Sequence, residues 1–333
     1  MGKYKYKSAC KNIYLTMSVI LFLLVLLTGC SLSVKEFSKI GILMGTTVEI
    51  KVWSFDETTA KKSISAAFNE ITRVENIFSV YKPESEISQL NKNGSAIMSD
   101  EAVQLIKKSV YFSEISNGAF DITIMPIIEL WKTAKKNGKL PTAEKITKVR
   151  QLVGSKNISI DEQNRKINFI KKGMKIDLGG IAKGYAVDKA VEILKKNRIK
   201  AGMINAGGDI RCFGPKVWKI ALQNPRNKND FITVLRISDK AVTTSGDYER
   251  YFEIDKMKIS HIIDPLSGYP ADKSISATII SDTATDADAL ATASFVLGAE
   301  KMIELYKKQK NFEYLLIDNE KKITKTAGFS NYE

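Results

Sequence analysis

Apolar residues change their spacing along this chain, and each change marks an element. Met17 to Leu27 is an almost continuous apolar run behind a head bearing Lys3, Lys5, Lys7 and Lys11. Residues 40–52 alternate as a strand does, with a break at Met44-Gly45-Thr46. Asp56 then has the character of an N-cap, and Ile64, Phe68, Ile71 and Val74 recur at helical spacing. A second helix is expected from Asp100 to near Gly118 and a third from about Thr123 to Lys136; Gly138 and Pro141 punctuate before another short helix. From Ile158 the pattern shortens to β-rich runs. Strands are expected at Lys175–Leu178, Met203–Asn205, Lys219–Leu222, Ile232–Ile237, Tyr248–Ile254 and Lys258–Ile263, then a helix at Thr285–Leu297 and a strand at Tyr314–Ile317. Helices early and strands late point to an α+β fold of two lobes, not a regular doubly wound sheet.

The first apolar run is too short for the roughly 20 residues of a spanning helix and follows a basic head, so it reads as a secretory signal. Leu27-Thr28-Gly29-Cys30 at its end resembles a bacterial lipobox. That resemblance divides the chain into a signal peptide (1–29), a tether beginning with a lipidated Cys30 (30–39) and a folded domain (40–333). It places the protein on the cell membrane, lipid-anchored and facing outside the cytoplasm; an uncleaved anchor would leave the body on the same side.

The formal charge is +14, of which the four signal lysines account for +4, leaving +10 for the body. Such an excess suits acidic lipid surfaces or a phosphate-bearing ligand. The lysines are scattered rather than grouped with aromatics, which argues against a nucleic-acid partner. Only Cys212 remains in the body besides Cys30, so no internal disulfide forms between body cysteines. His261 is the single histidine. A soft-ligand zinc, copper or iron site is therefore excluded in practice, and any metal must be held by oxygen, as magnesium, calcium or manganese are.

Four segments carry candidate chemistry. In Asp177-Leu178-Gly179-Gly180-Ile181-Ala182-Lys183-Gly184 a glycine pair leads into a helix whose first N–H groups and Lys183 suit a phosphate or carboxylate. In Asn205-Ala206-Gly207-Gly208-Asp209 a second glycine pair follows an apolar strand. Either pair also serves as an ordinary turn. Asp288 and Thr292 stand four apart, on one helix face, and their oxygens suit a hard cation; Asp286 and Asp288 equally complement a helix N-terminus. His261, in Ser260-His261-Ile262-Ile263-Asp264-Pro265, can be a general base or a structural histidine.

Together these segments resemble the ApbE family of flavin transferases, over nearly the whole mature chain. The resemblance also rests on Met44-Gly45-Thr46, Phe78 to Tyr81, Ser85-Glu86-Ile87, Gly118 to Asp121 and Thr244-Ser245-Gly246. It implies a two-lobed, T-fold-like α+β domain with a mixed, largely antiparallel sheet flanked by helices. It further implies a magnesium-dependent cleavage of the FAD pyrophosphate that attaches FMN to a threonine of an acceptor protein and releases AMP. By position, the metal ligands would be the Gly180 carbonyl, Asp288 and Thr292. FAD contacts would fall on Met44, Tyr81, Ala119, Phe120, Asp121, Asp177, Lys183 and Ile263, and His261 would activate the acceptor threonine. Ala291 stands where some relatives carry a further aspartate, which leaves one metal or two open. Acceptors of this kind belong to electron-transfer or ion-pumping systems. Two other readings use the same residues: an FAD pyrophosphatase in which water replaces threonine, and an FAD- or solute-binding lipoprotein without catalysis.

Overall fold

The structure is a computed structural model that describes residues 33–249, 251–254 and 257–333. Cys30 and the signal segment lie outside the described residues. The chain divides into a unit Met1–Lys35 and a compact unit Glu36–Glu333 that carries the fold.

Two nine-residue strands open it, β1 (Lys35–Leu43) and β2 (Thr46–Ser54). Next comes α1 (Glu57–Phe78), capped as expected by Asp56, whose carboxylate accepts from the N–H groups of Thr58 and Thr59. Its helical-period stripe, Ile64, Phe68, Ile71 and Val74, is buried. A helical segment follows: α2 (Glu86–Asn93), β3 (Ser95–Ile97), α3 (Asp100–Ile115), α4 (Met125–Asn137) and α5 (Ala143–Arg150). Then come β4 (Ile158–Asp161), β5 (Lys166–Phe169), α6 (Ala182–Lys196), β6 (Ala201–Ala206), β7 (Asp209–Phe213), β8 (Trp218–Asn224) and β9 (Asn227–Ile237). The chain ends through β10 (Ala241–Gly246), β11 (Tyr251–Ile254), β12 (Met257–Ser260), β13 (Ser274–Ser281), α7 (Ala284–Lys308), β14 (Phe312–Asp318) and β15 (Ile323–Lys325).

Eight strands form the main sheet in the order β1-β2-β6-β7-β10-β13-β14-β15. Its ladders from β2 through β15 are antiparallel. Side chains alternate between the two faces of a strand, and this sheet uses both. Val48, Ile50, Val52, Ile204, Ile279 and Leu316 point into the core shared with α1, α6 and α7. Met203, Ile210, Val242, Ile280, Leu315 and Ile317 point the other way, against Trp218, Leu222, Leu235 and Ile237 of the β8–β9 hairpin. A smaller cluster around Trp131, Ile146 and Ile263 joins α4 and α5 to the segment after β12. The largely antiparallel, helix-flanked α+β architecture is thus present.

Several local expectations are corrected. Residues 175–178 form no strand, because their backbone is held outside any ladder. The Asn91 side chain brackets Ile176, accepting from its N–H at 2.7 Å and donating to its carbonyl at 2.8 Å, while the Asp177 N–H reaches the Ile122 carbonyl. β1 begins at Lys35, not Ile40; as an edge strand it is mostly exposed, so polarity hides it. The strand expected from Tyr248 starts at Tyr251, β12 ends at Ser260, and α7 runs past Leu297 through a non-helical Gly298. Strands β7, β10 and β13 escaped the sequence reading; the last is buried along its whole length, so it shows no alternation.

Candidate active site

At one end of the sheet two hairpin turns lie side by side. Met44 (φ 52°) and Gly45 (φ 70°) join β1 to β2, while Gly207 (φ 62°) and Gly208 (φ 97°) join β6 to β7. Two-residue turns with both φ values positive match the twist of antiparallel strands. Glycine enters that region freely, but methionine rarely does, and such strain clusters at functional sites. Because Val48 pairs with Ala206, the turns are neighbours: the Gly207 N–H donates to the Thr47 carbonyl at 3.0 Å. Any Cβ on Gly207 would strike the Thr46 side chain. The first residue after this turn is Asp209, which is 2 % exposed.

Two helix N-termini close on the same end. A Cβ on Gly184 would collide with the Ala284 carbonyl and sit 2.9 Å from the Asp288 Cβ, so only glycine lets the first turns of α6 and α7 touch. The Gly184 N–H donates to Asp288 Oδ2 at 3.1 Å. One turn further along α6, Asp188 accepts from the Ala284 and Thr285 N–H groups at 2.9 and 2.8 Å and from the Thr285 hydroxyl. Lys183 Nζ then lies 2.7 Å from Asp209 Oδ2 and 3.4 Å from Asp288 Oδ1.

This cluster holds two buried carboxylates and one ammonium. Burial and the neighbouring Asp209 raise the Asp288 pKa, opposed by Lys183 and the Gly184 N–H. Burial works against the Lys183 ammonium, but Asp209 and Asp288 outweigh it and its pKa is raised. Thr292, one turn beyond Asp288, faces Gly180: a Cβ there would meet Thr292 Oγ1 at 3.1 Å and Phe120 Cε2 at 3.2 Å. Gly180, Asp288 and Thr292 are therefore neighbours, as the candidate ligand set requires. The nearby donors, the Asp288 carboxylate, the Thr292 hydroxyl and main-chain carbonyls, are hard oxygens, so the residues fit a magnesium-like cation. Among the described residues, no group of three or more His, Cys, Asp or Glu side chains could hold a metal by itself. Such an ion would depend on the threonine hydroxyl, main-chain carbonyls and ligand oxygens.

Of the other expected contacts, Phe120 reaches this centre through Gly180. Phe120 and Ala119 are buried, Phe120 against Phe112 and beside Gly180. Asp121 is a scaffold: its carboxylate accepts from the Thr123 N–H and hydroxyl, the Ser113 hydroxyl and the Ser155 N–H. Asp177 is raised in pKa by burial, against the pull of the Gly179 N–H at 2.7 Å and the Lys132 charge. Lys132 also donates to the Tyr81 hydroxyl at 3.0 Å, and Tyr81 is 75 % exposed, an aromatic surface at the rim.

His261 follows β12 and is exposed. Its neighbours pin it. Ile262 enters the main core, and Ile263 bridges Pro270 and packs with Trp131. Trp131 Nε1 donates to the Gly268 carbonyl at 2.9 Å, and the Leu266 side chain lies 3.3 Å from where a Cβ on Gly118 would stand. The histidine loop is thus fixed to the segment that carries Ala119 and Phe120. Sequence reasoning named Asp209 and Gly184 within motifs but assigned them no role, and it missed Asp188 and Lys132. Helical spacing offered a signal for Asp188, four residues beyond Gly184; nothing marked Lys132.

The structure is an α+β fold whose antiparallel sheet ends in a glycine-tight junction of two helix N-termini, closed by a lysine between buried aspartates. The chain belongs to the ApbE family, whose model matches residues 44–316. The FAD:protein FMN transferase of Klebsiella pneumoniae is 32 % identical, over 87 % of this chain and 91 % of that protein. The one from Treponema pallidum is 28 % identical, over 97 % and 95 %. Among solved structures, the crystal structure of the ApbE protein from Thermotoga maritima has a TM-score of 0.84 at 34 % identity, covering 90 % of this chain and 99 % of that one. The apo flavinyl transferase ApbE of Pseudomonas stutzeri has a TM-score of 0.77 at 28 % identity, covering 90 % and 96 %.

Proposed function

We propose that this chain is an FAD:protein FMN transferase, exported and held by a lipid on Cys30 at the outer face of the cell membrane. The observation that carries the activity is the junction of Lys183, Asp209, Asp288, Gly180 and Thr292 at two helix N-termini. Lys183 and the positive end of the α6 dipole attract the diphosphate of FAD, since the Ala182 and Gly184 N–H groups are taken by the Leu178 carbonyl and Asp288. The Gly180 carbonyl, Asp288 and Thr292 would hold magnesium, which when bound supplies positive charge to the pyrophosphate oxygens. Buried Asp209 keeps Lys183 charged and aimed; Met44, Tyr81 and Phe120 offer apolar and aromatic surface to the rings of the dinucleotide.

In the transfer, the acceptor threonine oxygen bonds to the FMN phosphorus as the phosphoanhydride bond breaks, and AMP departs with that bridging oxygen. His261 takes the threonine proton, a contribution of about 10²–10⁴-fold for a general base. Its exposure supports an acceptor on another macromolecule, because a protein-borne threonine must reach it from outside. Acceptors in electron-transfer or ion-pumping systems are the expected partners. The test supplies FAD, magnesium and a threonine-bearing acceptor domain and reads in-gel flavin fluorescence. A labelled acceptor is expected. Free FMN accumulating with no label would establish the pyrophosphatase instead, and bound FAD left intact would establish a mere binder.

A further inference from the structure

The sheet has a second end, opposite the acid cluster. Helix α6 holds Lys183 and Lys195 about 18 Å apart at 1.5 Å per residue, and its two ends differ in kind. At the far end Lys195 lies 5.8 Å from the Phe213 ring, and Gly214 abuts the Lys200 carbonyl. Ala201 pairs with Trp53, and Lys216 Nζ stacks 3.5 Å above the Trp53 ring. These contacts gather the end of β2, the end of β7 and the α6–β6 connection at one pole. Its apolar members are exposed: Phe55 58 %, Val217 55 % and Trp53 36 %. Its charge is basic and exposed at Lys196, Arg198 and Lys200, which have no carboxylate at ion-pair distance among the described residues. The nearby acids are engaged: Glu36 with Lys216 and the Trp53 Nε1–H, Asp239 with Lys195 and Arg211.

The chain also enters at this pole. Glu36, the second residue of β1, contacts both Lys216 and Trp53. Only residues 31–34 separate Cys30 from Lys35, the first residue of β1, at most about 18 Å of extended chain at roughly 3.5 Å per step. A lipid on Cys30 would hold this pole at the bilayer.

We infer that the pole formed by Trp53, Phe55, Val217, Lys196, Arg198 and Lys200 is a membrane-docking surface for anionic phospholipid. It fixes the body with the acid cluster turned away from the bilayer. Tryptophan and phenylalanine enter the interfacial region, basic side chains engage the headgroups, and a single lipid signal is reinforced by a second, electrostatic one. The inference rests on the proposed Cys30 anchor.

The test uses the full, natively processed chain in vesicles of phosphatidylglycerol and phosphatidylcholine, with lipids brominated near the headgroup as tryptophan quenchers. Flotation with the vesicles reads the anchor alone; bromolipid quenching reads the pole. Flotation is expected, with quenching that falls by roughly half or more in Trp53→Phe, since interfacial tryptophans are the ones lipid reaches. Joint replacement of Lys196, Arg198 and Lys200 by glutamate should cut quenching in the anionic vesicles while flotation persists. Flotation with no Trp53-dependent quenching overturns the docking surface alone. Failure to float overturns the anchor. Shielding of Trp53 that follows protein concentration instead of headgroup identifies a second copy as the occupant, and likewise overturns the proposal.

Discussion

The two ends of the central sheet are made from the same elements and treat charge in opposite ways. At the turn end, Lys183, Asp209 and Asp288 are packed together with almost no solvent around the acids, and glycines at 184 and 207 remove the Cβ atoms that would hold the elements apart. At the other end of α6, Lys196, Arg198 and Lys200 stand in water. The lesson is that charge acquires chemical use through burial. An exposed lysine is screened and acts through its charge alone, whereas a lysine fixed between two desolvated carboxylates has one geometry and a strong field.

Substitutions can break that comparison, and the largest effect should come from the proposed proton acceptor. His261→Ala should lower acceptor flavinylation by about 10²–10⁴-fold while FAD binding, read by fluorescence titration, stays intact; unchanged transfer would remove the histidine from the reaction. Asp288→Asn should lower transfer by about 10²–10³-fold, the scale of losing one preorganised electrostatic element, and should weaken the magnesium dependence measured by titration. Gly184→Ala should destabilise the fold by about 1–3 kcal/mol through overpacking, read by denaturant unfolding, because the Ala284 main chain cannot step aside. A neutral result there would mean that the two helix turns do not touch as described.

Glu101 gives a smaller and pH-dependent effect. It braces the same turn of α6 from outside, accepting from Arg73 and from the Tyr185 hydroxyl at 2.7 Å. The Arg73 hydrogen bonds hold its carboxyl below the usual range, against partial burial and with help from Tyr185. A depressed folded-state pKa stabilises above the unfolded value of about 4.3 and is lost as pH falls through the folded value. Glu101→Gln should therefore cost about 0.5–1 kcal/mol near neutrality, a surface-pair magnitude, and the difference should vanish in acid. A cost that grew as pH fell would reverse the assignment.

Much of the site was legible because its parts are local. The Asp288–Thr292 pair needs only helical spacing, and Asp56 announces its cap three residues ahead of the N–H it satisfies. Gly207-Gly208 was visible as a turn, whereas Met44-Gly45 showed only as a break in one strand and proves to be the turn between two. The strand read at Lys175–Leu178 was misplaced because β propensity cannot reveal that Asn91, far away in sequence, has already taken the hydrogen bonds of Ile176. Lys132 was invisible for a similar reason: one lysine on a basic helix resembles its neighbours until α4 is placed beside Tyr81 and Asp177.

The sequence by itself determined the alternation of strands, the capped and striped helices, the restriction of any metal site to oxygen ligands, and the order of motifs that marks the ApbE family. Tertiary structure alone decided which of those motifs meet. The pairing of β2 with β6 brings two turns together, and a missing Cβ at Gly184 lets Lys183 and Asp288 approach. Local propensities act over a few residues, whereas a buried charge cluster depends on contacts between segments about a hundred residues apart, which only packing can set.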